Sequence, residues 1–432
     1  MLCERVRYMS KLIVKGRQRL EGVIPVQGAK NSALPILTAA LICKGKSIIH
    51  NCPSLTDTQA AVSILEHLGC SVVQLGHTVI IDSTYADGHE IPDDLMREMR
   101  SSIVFLGAVV ARCGKAELSF PGGCELGPRP IDLHLQSLRQ LGLTIEEEHG
   151  HLICHTDTPL KGCEISLPIP SVGATENIML AACTADGRTE IHNAAREPEI
   201  SDLADFLNGC GAKIHGAGES SIIIDGVKAL HGTEHTVIPD RIVASTYLSA
   251  AAITGSSITV TNIIPAHLRP VLSCFTEAGC DIEVSGRSIR LMSPERLNRI
   301  KSVRTMFYPG FPTDSQPTTM AMSTTARGTS VFVETIFDSR FNHAAELVRM
   351  GAKIKVEGKV AVVEGVKSLS GAAVEAGDLR GGAALVVAAL AAEGETVISG
   401  VHHIDRGYEK IENALSLIGA DIIRADDTQE AE

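Results

Sequence analysis

Between Pro121 and Pro130 the chain reads PGGCELGPRP, which sets one thiol, Cys124, five residues ahead of a guanidinium, Arg129. Glycine and proline at this density make a loop rather than a helix or strand. A thiol beside an arginine shifts toward thiolate, and can then serve as acid, base or nucleophile. Taken alone, a cysteine near a turn reads more simply as a small buried apolar residue. The placement of the loop in the whole chain has to decide between the two.

Other loops carry charge at matching places. They contribute Asp57 in NCPSLTD, then Asp132 and His134 after the cysteine, then Arg196, Glu197 and Glu199 in NAAREPE. Further on come Arg269, Arg340, Asp405 and Arg406. A second set falls where helices are expected to start: Lys30, Arg100, Ser171, Arg241, Asp314 and Arg380. A lone surface arginine is usually just solvated. Arginines in phase, some at helix starts whose N–H groups and dipole favour anions, read better as a site for a multiply anionic substrate. Taken alone, Asp314 in FPTD reads better as a helix N-cap, and His134 as a satisfied structural histidine.

The elements that must position these residues come from a repeat. A helix end followed by a strand start occurs as LGCSV, LGLTI, CGAKI, AGCDI, MGAKI and IGADI. Their glycines, Gly69, Gly142, Gly211, Gly279, Gly351 and Gly419, are 73, 69, 68, 72 and 68 residues apart. Each should stop a helix in the left-handed conformation. A glycine followed by a short β-prone run recurs in the same phase, from GKSIIH at Gly45 to GETVIS at Gly394, each after a helix of small residues such as SALPILTAAL. One unit therefore reads β-α-β-α-β-β. Six units divide naturally into two domains of three, with a break near Pro239. A solenoid of six stacked units is the alternative, disfavoured by so long a period.

Composition bounds the partners. Aromatic residues make up 3% with no Trp, so the core is built from small aliphatic side chains that allow close helix–sheet packing. A net charge of −12 argues against nucleic acid or anionic membrane as a main partner. Twelve cysteines run from Cys3 to Cys280 without a C-x-x-C pair, so no zinc site is expected and a reducing cytoplasm is. The opening MLCERVRYMSKL is charged and lacks the apolar core of a signal peptide, and Met9 could serve as an alternative start. The uncharged run beginning at Ile242 is too rich in Ser, Thr and Gly for a membrane span.

GAKNSALPI, PGGCELGPRPIDLH, NAAREPEI, FPTD and HIDRGYE together resemble the UDP-N-acetylglucosamine 1-carboxyvinyltransferases, from about Lys11 to Arg424. The cysteine loop is the specific part, since the sister family acting on shikimate 3-phosphate lacks it. The resemblance implies an α/β fold of two inside-out α/β barrel domains, each of three β-α-β-α-β-β repeats, joined by a double-stranded hinge. It implies an N-terminal domain over 30–238, a discontinuous C-terminal domain of 1–29 plus 239–432, and an active site in the cleft between them. The activity implied is transfer of enolpyruvyl from phosphoenolpyruvate to the 3′-hydroxyl of UDP-N-acetylglucosamine, with phosphate released, at the start of peptidoglycan precursor synthesis. No metal or cofactor is implied, and the enzyme is expected to be cytoplasmic and monomeric.

The resemblance also assigns residues. Cys124 would be the general acid at C3 of phosphoenolpyruvate, and Asp314 the base for the sugar hydroxyl. Lys30, Arg129 and Arg406 would hold the phosphate, and Arg340 and Arg380 the carboxylate; Asn31 would lie with them, against the sugar. Arg100 would anchor the closed loop and the sugar nucleotide. Pro130, Ile131, Asp132, Leu133 and His134, with Ser171, Val172 and Gly173, would take the uridine diphosphate, and Ile336 would pack on the sugar nucleotide. Ile169 departs from the pattern, standing where many members carry a lysine that reaches the diphosphate. Two other readings remain at this point: transfer to another hydroxyl such as that of shikimate 3-phosphate, and a non-catalytic sugar-nucleotide sensor. Retention of the acid and base together weighs against the sensor.

Overall fold

The repeat glycines do what their spacing asks of them. All six adopt φ between 93° and 100°, a region costly for residues with a Cβ. Each closes an outer helix: Thr56–His67, Asp132–Gln140, Pro198–Gly209, Arg269–Glu277, Ala344–Arg349 and Ile411–Ser416. A strand follows each one, beginning with Ser71–Leu75 after the first. The structure is a computed structural model that describes residues 10–121 and 131–426.

Among these residues the chain forms two compact units. One runs from Gln27 to Pro239; the other takes the residues up to Val26 and those from Asp240 onward. In the first, three helices of small residues, Lys30–Ala40, Phe105–Cys113 and Val172–Ala182, are buried almost all round. Such helices belong inside a core rather than on its surface. Three four-stranded sheets accompany them, and strands such as Lys46–His50 and His151–His155 alternate between buried and accessible positions. The sheets therefore keep one face on the helices and one toward water. Helices inside and sheets outside is the inverse of the usual α/β layering.

The second unit repeats the plan with Arg241–Ile253, Gln316–Ser323 and Leu379–Ala391, which pack on one another. Its three sheets recruit the start of the chain. Glu21–Pro25 pairs in parallel with Ser257–Thr261, and Ser10–Lys15 lies antiparallel between Glu395–Ser399 and Asp421–Asp426. Every four-stranded sheet in both units has one parallel pair and two antiparallel pairs. In β-α-β-α-β-β the terminal hairpin makes an antiparallel pair, and in four of the six sheets the crossover through a buried helix makes the parallel one. In the other two the parallel partners, Glu234–Thr236 with Lys46–His50 and Glu21–Pro25 with Ser257–Thr261, come from distant parts of the chain.

The ten cysteines among the described residues are all free, and seven are buried. Burial pushes thiols such as Cys154 and Cys183 up to about 12. They are inert packing residues.

Candidate active site

In the unit from Gln27 to Pro239, residues singled out in the sequence lie at or just before the inner helix starts. Lys30 opens the first, and its Nζ lies 2.7 Å from Oδ2 of Asp57, in the first turn of Thr56–His67. Both side chains are buried, so the ion pair is shielded from water, where charge interactions are strongest. The approach to Lys30 requires Gly28, because a Cβ there would sit 1.7 Å from the Asn51 carbonyl oxygen. Asn31 follows, half-buried, on the second position of the helix rather than at its cap.

Arg100 begins the 3₁₀ turn Arg100–Val104 and donates from Nη1 to the Pro121 carbonyl at 3.4 Å. Cys124, Arg129 and Pro130 lie outside the described residues. Just after them, Ile131 is buried, Asp132 exposed and Leu133 half-buried. His134 is buried, and Asn177 Nδ2 donates to its Nδ1 at 2.7 Å, which leaves the ring proton on Nε2. Burial, and then the nearby Arg100 charge, lower its pKa to about 4, so the imidazole is neutral near pH 7. Ser171 caps the helix Val172–Ala182, its Oγ accepting from Ala174 N–H at 3.4 Å. Gly173 makes room for the imidazole: a Cβ there would meet His134 Cε1 at 2.8 Å. Ile169 is 54% exposed and supplies no charge at this helix start.

Asn177 escaped the sequence reading, because a lone Asn in an apolar helix gives no signal. Its Oδ1 accepts from Gly107 N–H at 2.7 Å and its Nδ2 also donates to the Ile103 carbonyl at 2.9 Å. One amide thus ties the Phe105–Cys113 helix, its own helix and His134 together. Glu176 beside it was also missed. Burial, then Glu199 and Glu197, raise its pKa well above the usual carboxylate range.

The other unit gathers a denser cluster. Asp314 sits in the turn Thr313–Ser315 and does not cap the helix that follows; the cap position is Ser315. Its Oδ1 accepts from Arg340 Nη2 at 2.5 Å, and its Oδ2 from Arg380 Nε at 3.2 Å. The N-cap reading is thereby overturned. Two guanidiniums outcompete backbone N–H groups for a carboxylate because charge-assisted bonds are the stronger. Both arginines are almost fully buried while the Asp314 side chain remains 27% exposed, so the accessible member of the trio is the carboxylate.

Neutral and charged neighbours aim the two arginines. Arg340 Nε donates to the Thr313 carbonyl at 3.1 Å, and Arg340 lies over the Phe337 ring. Arg380 lies over the Tyr408 ring, whose hydroxyl is 2.8 Å from Thr246 Oγ1. Asp378 caps Leu379–Ala391 by accepting from Arg380 N–H and Gly381 N–H, each at 3.0 Å. Nη1 of Arg380 is buried without a hydrogen-bond partner among the described residues. Ile336 is half-buried on the turn before Arg340, and Arg406 half-buried before Tyr408. Its neighbour Asp405 is taken up by Arg424, which grips it with two bonds at 2.7 and 2.8 Å. Arg269 stands exposed at the start of an outer helix. Among the described residues no group of three His, Cys, Asp or Glu side chains could hold a metal ion.

The family model for EPSP synthase (3-phosphoshikimate 1-carboxyvinyltransferase) matches residues 14–415. A UDP-N-acetylglucosamine 1-carboxyvinyltransferase of Caldanaerobacter subterraneus subsp. tengcongensis is 54% identical over 96% of this chain and 100% of its own length. One from Symbiobacterium thermophilum is 51% identical, over 97% of this chain and 96% of its own. The chain belongs to the UDP-N-acetylglucosamine 1-carboxyvinyltransferase family. The fold agrees with this membership. The enolpyruvyl transferase NikO from Streptomyces tendae superposes with a TM-score of 0.88 at 26% identity, covering 97% of this chain and 99% of that one. An EPSP synthase from Acinetobacter baumannii gives 0.74 at 19% identity over 97% of this chain and all of its own, a likeness of fold alone. Within this carboxyvinyltransferase family, the described cluster is a carboxylate held between two buried guanidiniums, the kind of constellation that can exchange an internal anion for a bound one.

Proposed function

We infer that this chain transfers the enolpyruvyl group of phosphoenolpyruvate to the 3′-hydroxyl of UDP-N-acetylglucosamine, releasing phosphate, in peptidoglycan precursor synthesis. The observation that carries this reading is the 54% identity, over nearly the whole of both chains, to a relative of that name. The acceptor follows from that relation rather than from the fold, which enzymes of other acceptors share.

In this reading Cys124 protonates C3 of phosphoenolpyruvate while the sugar hydroxyl attacks C2 and Asp314 takes the hydroxyl proton. The C3 proton is then withdrawn as the C2–O bond to phosphate breaks, leaving the enolpyruvyl ether. Arg340 and Arg380 receive the substrate carboxylate, which supplies the negative charge that Asp314 supplies in the free protein. Exchange of one anion for another would release the Asp314 carboxylate for proton transfer. Lys30, Arg129 and Arg406 take the phosphate, with Asn31 near the sugar. Arg100, Pro130, Ile131, Asp132, Leu133, His134, Ser171, Val172, Gly173 and Ile336 serve the sugar nucleotide. The neutral His134 suits a positioning role rather than proton transfer at neutral pH.

Both substrates are cytoplasmic metabolites, and the described chain has no helix long and apolar enough to cross a membrane. We place the enzyme in the cytoplasm and read it as a monomer, which sedimentation would check. The deciding experiment measures phosphate release with UDP-N-acetylglucosamine or shikimate 3-phosphate as acceptor. Release with the sugar nucleotide alone, lost in Cys124→Ala, is expected. Release with shikimate 3-phosphate, or none with either despite tight sugar-nucleotide binding, would overturn the reading.

A further inference from the structure

We propose that Glu334 is a positioning residue for this transfer, one buried carboxylate that sets both the Asp314 turn and the Ile336 turn. The proposal rests on the roles given above to Asp314 and Ile336. Glu334 directly follows the strand Thr329–Val333 and is 1% exposed. Its side chain touches neither Asp314 nor Ile336 side chains in any bond described; it acts through the backbone and through hydroxyls.

The two oxygens divide the work. Oε1 accepts from Ile336 N–H at 2.7 Å, from Phe337 N–H at 3.1 Å and from Thr305 Oγ1 at 2.9 Å. Oε2 accepts from Thr313 Oγ1 at 3.0 Å, one residue before Asp314. Thr305 reinforces the first group, its Oγ1 accepting from Thr335 N–H at 2.9 Å and its carbonyl from Thr335 Oγ1 at 2.6 Å. Thr313 is held from the other side by Arg340 through its carbonyl. A buried carboxylate is tolerated only when its lone pairs are satisfied, and here four neutral donors satisfy it. Since both turns hang on one rigid group, a shift of either is felt by the other.

The choice of glutamate carries a specific consequence. In Glu334→Gln the amide oxygen can serve the two backbone N–H groups, while the amide nitrogen faces the Thr313 hydroxyl, which can rotate to accept. Shape and burial are kept; the charge and the sense of one bond change. A merely structural role would hardly notice. A positioning role should, because the orientation of the Thr313–Asp314 turn depends on that bond.

The test uses the full-length enzyme, with phosphate release in the presence of UDP-N-acetylglucosamine. Thr313→Val removes only the Oε2 donor. It is expected to lower kcat about tenfold, the size of losing one hydrogen bond to a charged group, with KM for the sugar nucleotide within about twofold. Thr313→Ser should restore kcat, and Glu334→Gln should lower it while melting within a few degrees of wild type. Thr313→Val and Glu334→Gln both turning over like wild type would overturn the proposal. So would a rise in KM for the sugar nucleotide with kcat unchanged in Thr313→Val. Wild-type enzyme run alongside separates the two levels: if it fails to release phosphate, the proposed reaction falls, and with it the role of Glu334.

Discussion

Arg340 reaches Asp314 through Nη2 at 2.5 Å, from a side chain that is only 1% exposed. The guanidinium is fixed by burial before any substrate arrives, so the carboxylate, not the arginine, is the member free to change partner. Asp314→Asn is therefore expected to lower kcat by roughly 10²–10⁴-fold, the usual worth of a positioned base. Sugar-nucleotide affinity, read by calorimetry, should change far less. Unimpaired turnover would remove Asp314 from the chemistry.

Lys30 makes a different case, because both partners of its 2.7 Å pair with Asp57 are shielded. Lys30→Ala withdraws the cation from a buried carboxylate, and breaking such a pair costs about 3–5 kcal/mol. Urea unfolding should show a loss of that order, with turnover also falling. Lys30→Arg keeps the charge and should recover most of the stability. A loss below 1 kcal/mol in Lys30→Ala would mean the pair is solvated.

His134 predicts a pH dependence of stability. Its folded pKa of about 4 lies below the ordinary value of 6.5 for an imidazole. Above pH 6.5 neither state binds the proton and nothing is lost. Between 6.5 and 4 the unfolded chain gains a proton that the fold excludes, so stability drops as pH falls. The slope is roughly 1.4 kcal/mol per pH unit for one such group. His343, lowered to about 4 first of all by burial, acts in the same direction. Denaturation of wild type and His134→Phe across that window should give a slope shallower by about one proton in the variant.

Gly173 tests the packing behind that histidine. A methyl there would meet the imidazole at 2.8 Å, so the ring or the helix start must move. Gly173→Ala is expected to cost about 1–3 kcal/mol, as overpacking typically does, and to raise KM for the sugar nucleotide. Gly142→Ala offers a contrast: nothing stands within 4 Å, but φ is 100°, so strain alone acts there and KM should stay put.

Much of this architecture was legible in order along the chain. Gly69, Gly142 and their four counterparts are local signals, because a left-handed residue at a helix end is demanded within one turn of backbone. Small-residue helices ahead of Gly45, Gly114 and the like are local as well, and their starts carried Lys30, Arg100, Asp314 and Arg380 as read. The Cys124 loop also announced itself by composition, and it stays the one assigned element outside the described residues.

What required the tertiary structure was every partnership between distant residues. Asp314 by its local residues looked more like a helix cap than a base; Arg340 and Arg380, 26 and 66 residues away, lie on its two oxygens. Asn177 and Glu334 carried no pattern at all, since a single polar residue in an apolar stretch gains meaning only from what surrounds it. Period and turn chemistry are written in neighbouring residues, so the sequence by itself determined the repeats, the element types and the helix starts. Charge pairing and burial depend on which elements pack together, so only the fold could decide which carboxylates are clamped, which histidine stays neutral, and which buried group aims the rest.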